Sequence, residues 1–167
     1  MSALFALAML ALLLAAAWRD LLTRTIPDTI ALLLLVIGAV ARVLDGASVA
    51  IACAATALLL FVLLMVAFAR GLLGGGDVKV MTALAIGLSP YDCYRFVVAT
   101  ALFGGLLALG YLLLSRRAPT TPAITRQSLF RRILTIEHWR VRRRGPLPYA
   151  VAIAAGGAFV LLQPGSY

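Results

Sequence analysis

Residues 49–69 read VAIACAATALLLFVLLMVAFA, a run of 21 residues that contains no charged side chain. A helix needs about 20 residues to cross the roughly 30 Å hydrocarbon core of a bilayer. This run is long enough and apolar enough to do so without help from its flanks. It therefore predicts a transmembrane helix and, with it, a membrane protein.

The composition of the whole chain agrees with that run. Of its 167 residues 63% are hydrophobic and 13% are charged, whereas soluble domains carry about 45–50% apolar and about 25% charged residues. These values exclude a soluble globule, a disordered chain, a collagen-like fibre and a disulfide scaffold. Cys53 and Cys93 lie in or beside apolar runs without a CxxC motif, so they indicate neither a zinc site nor a disulfide.

Apolar runs divide the chain into about six candidate transmembrane helices, and we predict an all-α polytopic membrane protein formed by one domain over residues 1–167. The fourth run is too short to span securely, so five spans with a re-entrant segment are the alternative. The six runs are Ala3–Trp18, Ile30–Val43, Val49–Ala69, Val78–Leu88, Phe96–Leu114 and Leu147–Leu162.

Positive charge is distributed unevenly between the links. The chain has 15 Lys and Arg residues against 6 Asp and Glu residues, and only Arg42 and Arg95 fall outside three particular links. Because cytoplasmic links carry the excess of cations, we predict that these three links are cytoplasmic and that both termini lie outside. The cations of the three links are Arg19, Arg24, Arg70, Lys79 and the nine arginines between Arg116 and Arg144.

The long basic link, residues 115–146, carries Leu129, Ile133 and Ile136 at helical spacing among arginines. This pattern predicts a cytoplasmic amphipathic helix on the inner leaflet, with a solvated basic loop as the alternative. We interpret its arginines as binding anionic lipid headgroups and orienting the protein, and we expect no nucleic acid partner.

Asp77 follows Gly74-Gly75-Gly76 at the predicted start of the fourth helix. Glycines allow backbone conformations that other residues avoid and let a substrate come close. A simple helix cap is the alternative function for Asp77, although a cap does not require three glycines.

Asp20 lies at the inner end of the first span and is followed by Ile26-Pro27-Asp28, where Asp28 or Thr29 is suited to cap the second helix. Two aspartates at one membrane level on two helices suggest a paired-carboxylate site. An interfacial ion pair with Arg19 is the alternative for Asp20. The helix dipole favours ionised Asp77 as the base and Asp20 as the acid.

The segment from Asp20 through Asp28 and the segment Gly74–Lys79 resemble the two signature motifs of type IV prepilin peptidases, and the second segment is a GxGD box. Residues 147–152, LPYAVA, resemble the short, peptidase-only branch that serves tight-adherence (Flp-type) pili. The resemblance covers nearly the whole chain in order and in topology.

The resemblance implies an intramembrane aspartic endopeptidase of the bacterial inner membrane that needs no metal or other cofactor. It would remove the short basic leader of a prepilin substrate on the cytoplasmic side, with Asp20 and Asp77 as the catalytic pair. Bifunctional relatives carry a domain between the first two spans. Here that link has about ten residues and no cysteine, so no methyltransferase activity is expected. The remaining motif residues have no assigned chemical step: Ile26, Pro27, Asp28, Gly74, Gly75, Gly76 and Lys79.

Two other functions remain open from the residues. One is a GxGD protease that acts on other signal sequences. The other is a non-catalytic membrane scaffold or proton-coupled transporter that uses Asp20 and Asp77 as a relay, although a relay favours carboxylates deeper in the bilayer. The oligomeric state is not indicated by the sequence.

Overall fold

The computed structural model describes residues 3–23, 25–117 and 149–163, and in these residues it contains helices and no strands. The predicted all-α fold class is therefore confirmed for the described residues. The six helices are α1 (Ala3–Thr23), α2 (Asp28–Leu44), α3 (Ala47–Ala69), α4 (Gly75–Ile86), α5 (Pro90–Arg117) and α6 (Tyr149–Leu161).

Among the described residues three helices are long and apolar enough to cross a membrane, at Leu4–Thr23, Ala47–Ala69 and Pro90–Gly110. Helix α2 has 17 residues, α4 has 12 and α6 has 13. At 1.5 Å per residue α4 is only about 18 Å long, too short to cross alone. The count of six spans stays a prediction, and the predicted amphipathic helix of the basic link lies outside the described residues.

Helix α4 is enclosed by its neighbours. It packs against α2, α3 and α6, while α6 also packs against α1 and α5. The long helices turn large apolar side chains outward, as Leu58, Leu59 and Leu63 of α3 do. Outward apolar side chains suit a bilayer and would be a liability in water. The buried side chains of α4 are Val78, Val80, Met81, Ala83, Leu84 and Ala85.

Helices α2 and α4 run in the same direction and cross closely. The first turns are joined by an ion pair between Asp28 and Lys79, and Arg42 near the end of α2 contacts Gly87 at the end of α4. A Cβ on Gly38 would lie 2.8 Å from the backbone nitrogen of Gly87, so the two backbones meet without an intervening side chain.

Arg42 is one of the two cations outside the basic links, and the sequence indicated no structural function for it. In the structure it is buried, with 7% of its surface exposed. Its Nε donates a hydrogen bond of 2.8 Å to the carbonyl of Gly87, and its Nη1 lies 3.1 Å from Asp45 Oδ2. The last carbonyls of a helix lack intrahelical partners, and hydrocarbon offers no water to replace them. Arg42 therefore satisfies the C-terminal end of a short, enclosed helix.

The positions of Asp45 and Asp92 in short links between apolar runs predict solvated turn residues, and for Asp92 this prediction is wrong. Asp92 is buried in the first turn of α5. Its backbone N–H donates to Ser89 Oγ at 3.1 Å, and the Ser89 hydroxyl donates to Asp92 Oδ2 at 2.7 Å. This reciprocal pair satisfies donors that the start of a helix leaves free. Asp45, by contrast, is exposed as expected.

The crossing of α2 and α4 leads to a prediction about stability. Gly38→Ala places a methyl group against the Gly87 backbone, so we expect the helices to separate at a cost of about 1–3 kcal/mol. Gly105→Ala is the matched control, because nothing lies within 4 Å of a Cβ at Gly105. Denaturant unfolding of both variants in detergent tests this, and equal midpoints for the two would contradict the close crossing.

Candidate active site

The two sequence motifs meet at one end of the helix bundle. Asp20 lies in the last turn of α1, Asp28 in the first turn of α2 and Asp77 in the first turn of α4. Asp20 and Asp77 are half-buried, whereas Asp28 is exposed. The fold therefore brings Asp77 of the second motif to the region that holds Asp20 and Asp28 of the first.

The start of α4 fixes the position of Asp77. Gly74 is the residue before the helix, with an extended backbone at φ −78° and ψ 146°. The N–H of Asp77 donates to the Gly74 carbonyl at 3.1 Å, so Asp77 is the third residue of the helix and does not occupy its cap position. Gly75 and Gly76 lie inside the first turn and are not part of a loop.

The three glycines provide space, and this corrects the expectation that they provide unusual backbone conformations. Among the described residues the glycines with positive φ are Gly46 and Gly71, outside the run. A Cβ on Gly74 would lie 3.1 Å from Asp77 Oδ2, closer than ordinary contact allows. A side chain on Gly74 would therefore push the Asp77 carboxylate from its position.

The other two glycines are contact points for neighbouring segments. A Cβ on Gly76 would lie 3.5 Å from Ile26 Cδ1, and a Cβ on Gly75 would lie 3.5 Å from the Phe68 ring. The first contact brings the connection between α1 and α2 against the first turn of α4. Phe68 was not singled out by the sequence, because nothing distinguishes it within the uniformly apolar run of α3.

The Ile26-Pro27-Asp28 segment forms the turn into α2. Pro27, with φ −61° and ψ 138°, is the residue before the helix, so the expected cap at Asp28 or Thr29 was wrong. The Pro27 carbonyl accepts a hydrogen bond from the N–H of Ile30 at 3.1 Å. Asp28 is left as the first helical residue with its side chain in solvent.

An ion pair joins the two motifs directly. Lys79 Nζ lies 2.7 Å from Asp28 Oδ1, across 51 positions of sequence. Both side chains are well exposed, Asp28 at 79% and Lys79 at 57%. Asp28 and Lys79, which had no assigned chemical step, are thus ion-pair partners of each other.

Burial, and to a smaller extent the negative charge of Asp20, raise the pKa of Asp77 from an ordinary value of 3.8 to about 6. A backbone hydrogen bond from Gly74 opposes both effects. Asp77 lies outside the three candidate spans, near the surface of the bundle. Asp20 is thus close enough to Asp77 for the two carboxylates to interact.

This raised pKa bears on which carboxyl holds a proton. The helix dipole favours ionised Asp77 by about 0.3–1 kcal/mol. Burial and the charge of Asp20 outweigh it, because the net direction of the pKa shift is upward. The upward shift of its pKa therefore makes Asp77 more readily protonated than an ordinary aspartate, which weighs against the assignment of Asp77 as the base from the dipole alone.

A neutral carboxylic acid beside an ionised carboxylate can perform acid–base chemistry on a carbonyl and a water molecule. No group of three or more His, Cys, Asp or Glu residues that could hold a metal occurs within residues 3–23, 25–117 and 149–163. The arrangement thus defines a class: an all-α membrane protein with two interacting carboxyls at one end of its bundle.

Comparison with known families agrees with this class. The model of the type IV leader peptidase family matches residues 7–109, which include both motifs and more than half of the chain. The chain therefore belongs to the type IV leader peptidase family, a family of peptidases. No curated protein and no solved structure matches it significantly.

The interaction of the two carboxyls predicts how Asp77 titrates. We expect Asp20→Asn to lower the pKa of Asp77 from about 6 toward 3.8, because it removes the neighbouring negative charge. Carbodiimide modifies protonated carboxyls, so its rate of reaction at Asp77, followed by peptide mass spectrometry against pH, measures this pKa.

Asp45→Asn is the matched control for that titration. It makes the same change at the opposite end of α2, where Asp45 pairs with Arg42, and should leave the Asp77 titration unchanged. An Asp77 titration that is identical in wild type and Asp20→Asn would contradict the interaction between the two carboxyls.

Proposed function

We propose that this protein is an intramembrane aspartic endopeptidase that removes the short basic leader from type IV, Flp-type prepilins at the cytoplasmic membrane face. Membership of the leader peptidase family supports the general class of reaction. The aspartic type is supported by one observation above others, the electrostatic interaction of Asp20 with Asp77 across two helices.

In the proposed reaction, ionised Asp20 takes a proton from a water molecule, and the water oxygen attacks the scissile carbonyl. Neutral Asp77 donates a hydrogen bond to the carbonyl oxygen, which gains negative charge in the tetrahedral intermediate. The leaving nitrogen then receives a proton from the pair, and the C–N bond breaks. The raised pKa of Asp77 supports its assignment as the acid.

The proposed substrate class is supported by the family and by the resemblance of the two motifs. A prepilin has an apolar helix that fits the bilayer, with its basic leader on the cytoplasmic side. The narrower assignment to Flp-type pilins rests on residues 147–152, LPYAVA, at the start of the last apolar run. Prepilin is thus the proposed partner, and the arginines of residues 115–146 are proposed to contact anionic lipid headgroups.

We place the protein in the bacterial inner membrane, with its catalytic face in the cytoplasm and both termini outside. The distribution of arginines supports this orientation. The absence of methyltransferase activity remains part of the proposal, supported by the short connection in which α1 ends at Thr23 and α2 begins at Asp28. A further catalytic domain has no room between these two helices.

The test is to co-express the protein with a candidate prepilin and to measure cleavage as a decrease in the size of the precursor. We expect Asp20→Asn and Asp77→Asn each to reduce cleavage by about 10²–10⁴-fold, because each removes half of an acid–base pair. Asp45→Asn is the matched control and should cleave like wild type, provided that all three variants reach the membrane in equal amount.

Two outcomes would overturn parts of this proposal. Cleavage that survives either Asp20→Asn or Asp77→Asn would refute the paired-carboxylate mechanism. Cleavage of other signal sequences in preference to prepilins would favour the broader GxGD protease. An absence of cleavage for any substrate, together with proton flux that depends on both aspartates, would favour the transporter.

A further inference from the structure

We propose that Asp28 binds a cationic side chain of the substrate's leader, and that Lys79 occupies this binding position when no substrate is present. This inference rests on the proposed function, since it names the residue that recognises the charge of the leader. It gives the Asp28–Lys79 ion pair a function in specificity and not in stability.

The geometry of the pair shows that Asp28 accepts an ammonium group. Lys79 Nζ lies 2.7 Å from Asp28 Oδ1, a short charge-assisted contact. Lysine and arginine of a peptide present N–H donors of the same charge. The internal lysine therefore acts as a stand-in for the group that the substrate would supply.

Because both side chains are exposed, a substrate cation can replace Lys79 at Asp28 with little loss of free energy. Asp28 is 79% exposed and Lys79 is 57% exposed, so water screens their attraction. Exposed ion pairs of this kind contribute little to stability. An incoming cation can displace Lys79 without leaving an unpaired buried charge behind, because the released ammonium is hydrated.

Asp28 lies at the same end of the bundle as the paired carboxyls. Lys79 follows Asp77 by two residues in the first turns of α4, and Ile26 packs on Gly76 of the same helix end. In the proposed binding mode, a leader that extends from a scissile bond at Asp77 across this end of the bundle reaches Asp28.

Asp28 differs from the other aspartates within the described residues. Asp20 and Asp77 are half-buried and interact with each other. Asp45 and Asp92 lie at the opposite end of the bundle, near Arg42 and Arg95. Asp28 is therefore the exposed carboxylate at the catalytic end. A cationic leader that approaches this end also meets the exposed Arg19 and Arg70, so a local negative charge is needed to receive it.

A purely structural ion pair predicts different behaviour. If the pair only held α2 against α4, loss of either partner would break it equally, and the charge of the substrate would not matter. If Lys79 competes with the substrate for Asp28, loss of Lys79 would help a cationic substrate and loss of Asp28 would harm it. The two single variants thus separate the explanations.

The test uses the full chain in detergent with two synthetic prepilin peptides, one with its basic leader and one whose lysines and arginines are replaced by glutamine. For the basic leader we expect Asp28→Asn to raise KM by about two- to fivefold and Lys79→Met to lower it by a similar factor, with kcat little changed. The double variant Asp28→Asn/Lys79→Met should resemble Asp28→Asn alone. For the neutral leader the wild type and all these variants should have the same KM.

Asp45→Asn serves again as the matched control, and its KM for both peptides should equal that of the wild type. An equal increase in KM for Asp28→Asn and Lys79→Met, or effects that are the same for both leaders, would overturn the proposal in favour of a structural pair. Unchanged KM in every variant would overturn it as well.

The failure of this inference is distinguishable from failure of the proposed function. If the wild type cleaves neither peptide, or if the Asp77→Asn variant still cleaves them, the peptidase proposal itself fails. If wild type cleaves in an Asp77-dependent manner while the KM pattern is absent, only the assignment of Asp28 fails.

Discussion

Asp20 on α1 and Asp77 on α4 repel each other electrostatically at one end of the bundle, and the proposed chemistry depends on this interaction. Water would screen such a pair, but Asp77 is partly buried, and its pKa rises to about 6. Two carboxyls in this situation cannot both ionise easily and titrate as a unit. A shared proton gives the site an acid and a base together, which is the property that the proposed hydrolysis needs.

The fold holds this pair by enclosing the shortest of the described helices. Helix α4 presents Asp77 at its first turn and packs against α2, α3 and α6, so the backbone that carries Asp77 is held by three neighbouring helices. The close crossing at Gly38 and the hydrogen bond from Arg42 to Gly87 fix the other end of α4. A short helix can thus be rigid in a bilayer when a neighbour satisfies its last carbonyls.

The sequence predicted the parts of this arrangement that depend on local pattern. Apolar runs predicted helices near their observed positions, and the two motifs predicted that Asp20 and Asp77 form a pair. The buried position of Asp92 could not be predicted, because it depends on packing between helices. The Asp28–Lys79 pair spans 51 residues and has no local signal. The raised pKa of Asp77 was missed because the small dipole effect was visible in the sequence, whereas the larger effect of burial requires the fold.

The most direct test of the shared proton is the dependence of kcat/KM on pH for the wild-type enzyme with a prepilin peptide. In the proposed mechanism the singly protonated pair is the active form, so raising the pH through about 6 removes the proton of Asp77 and should lower kcat/KM. We expect a descending limb with an apparent pKa near 6. A kcat/KM that rises through pH 6 to a plateau would require Asp77 in its ionised form and would contradict the shared-proton mechanism.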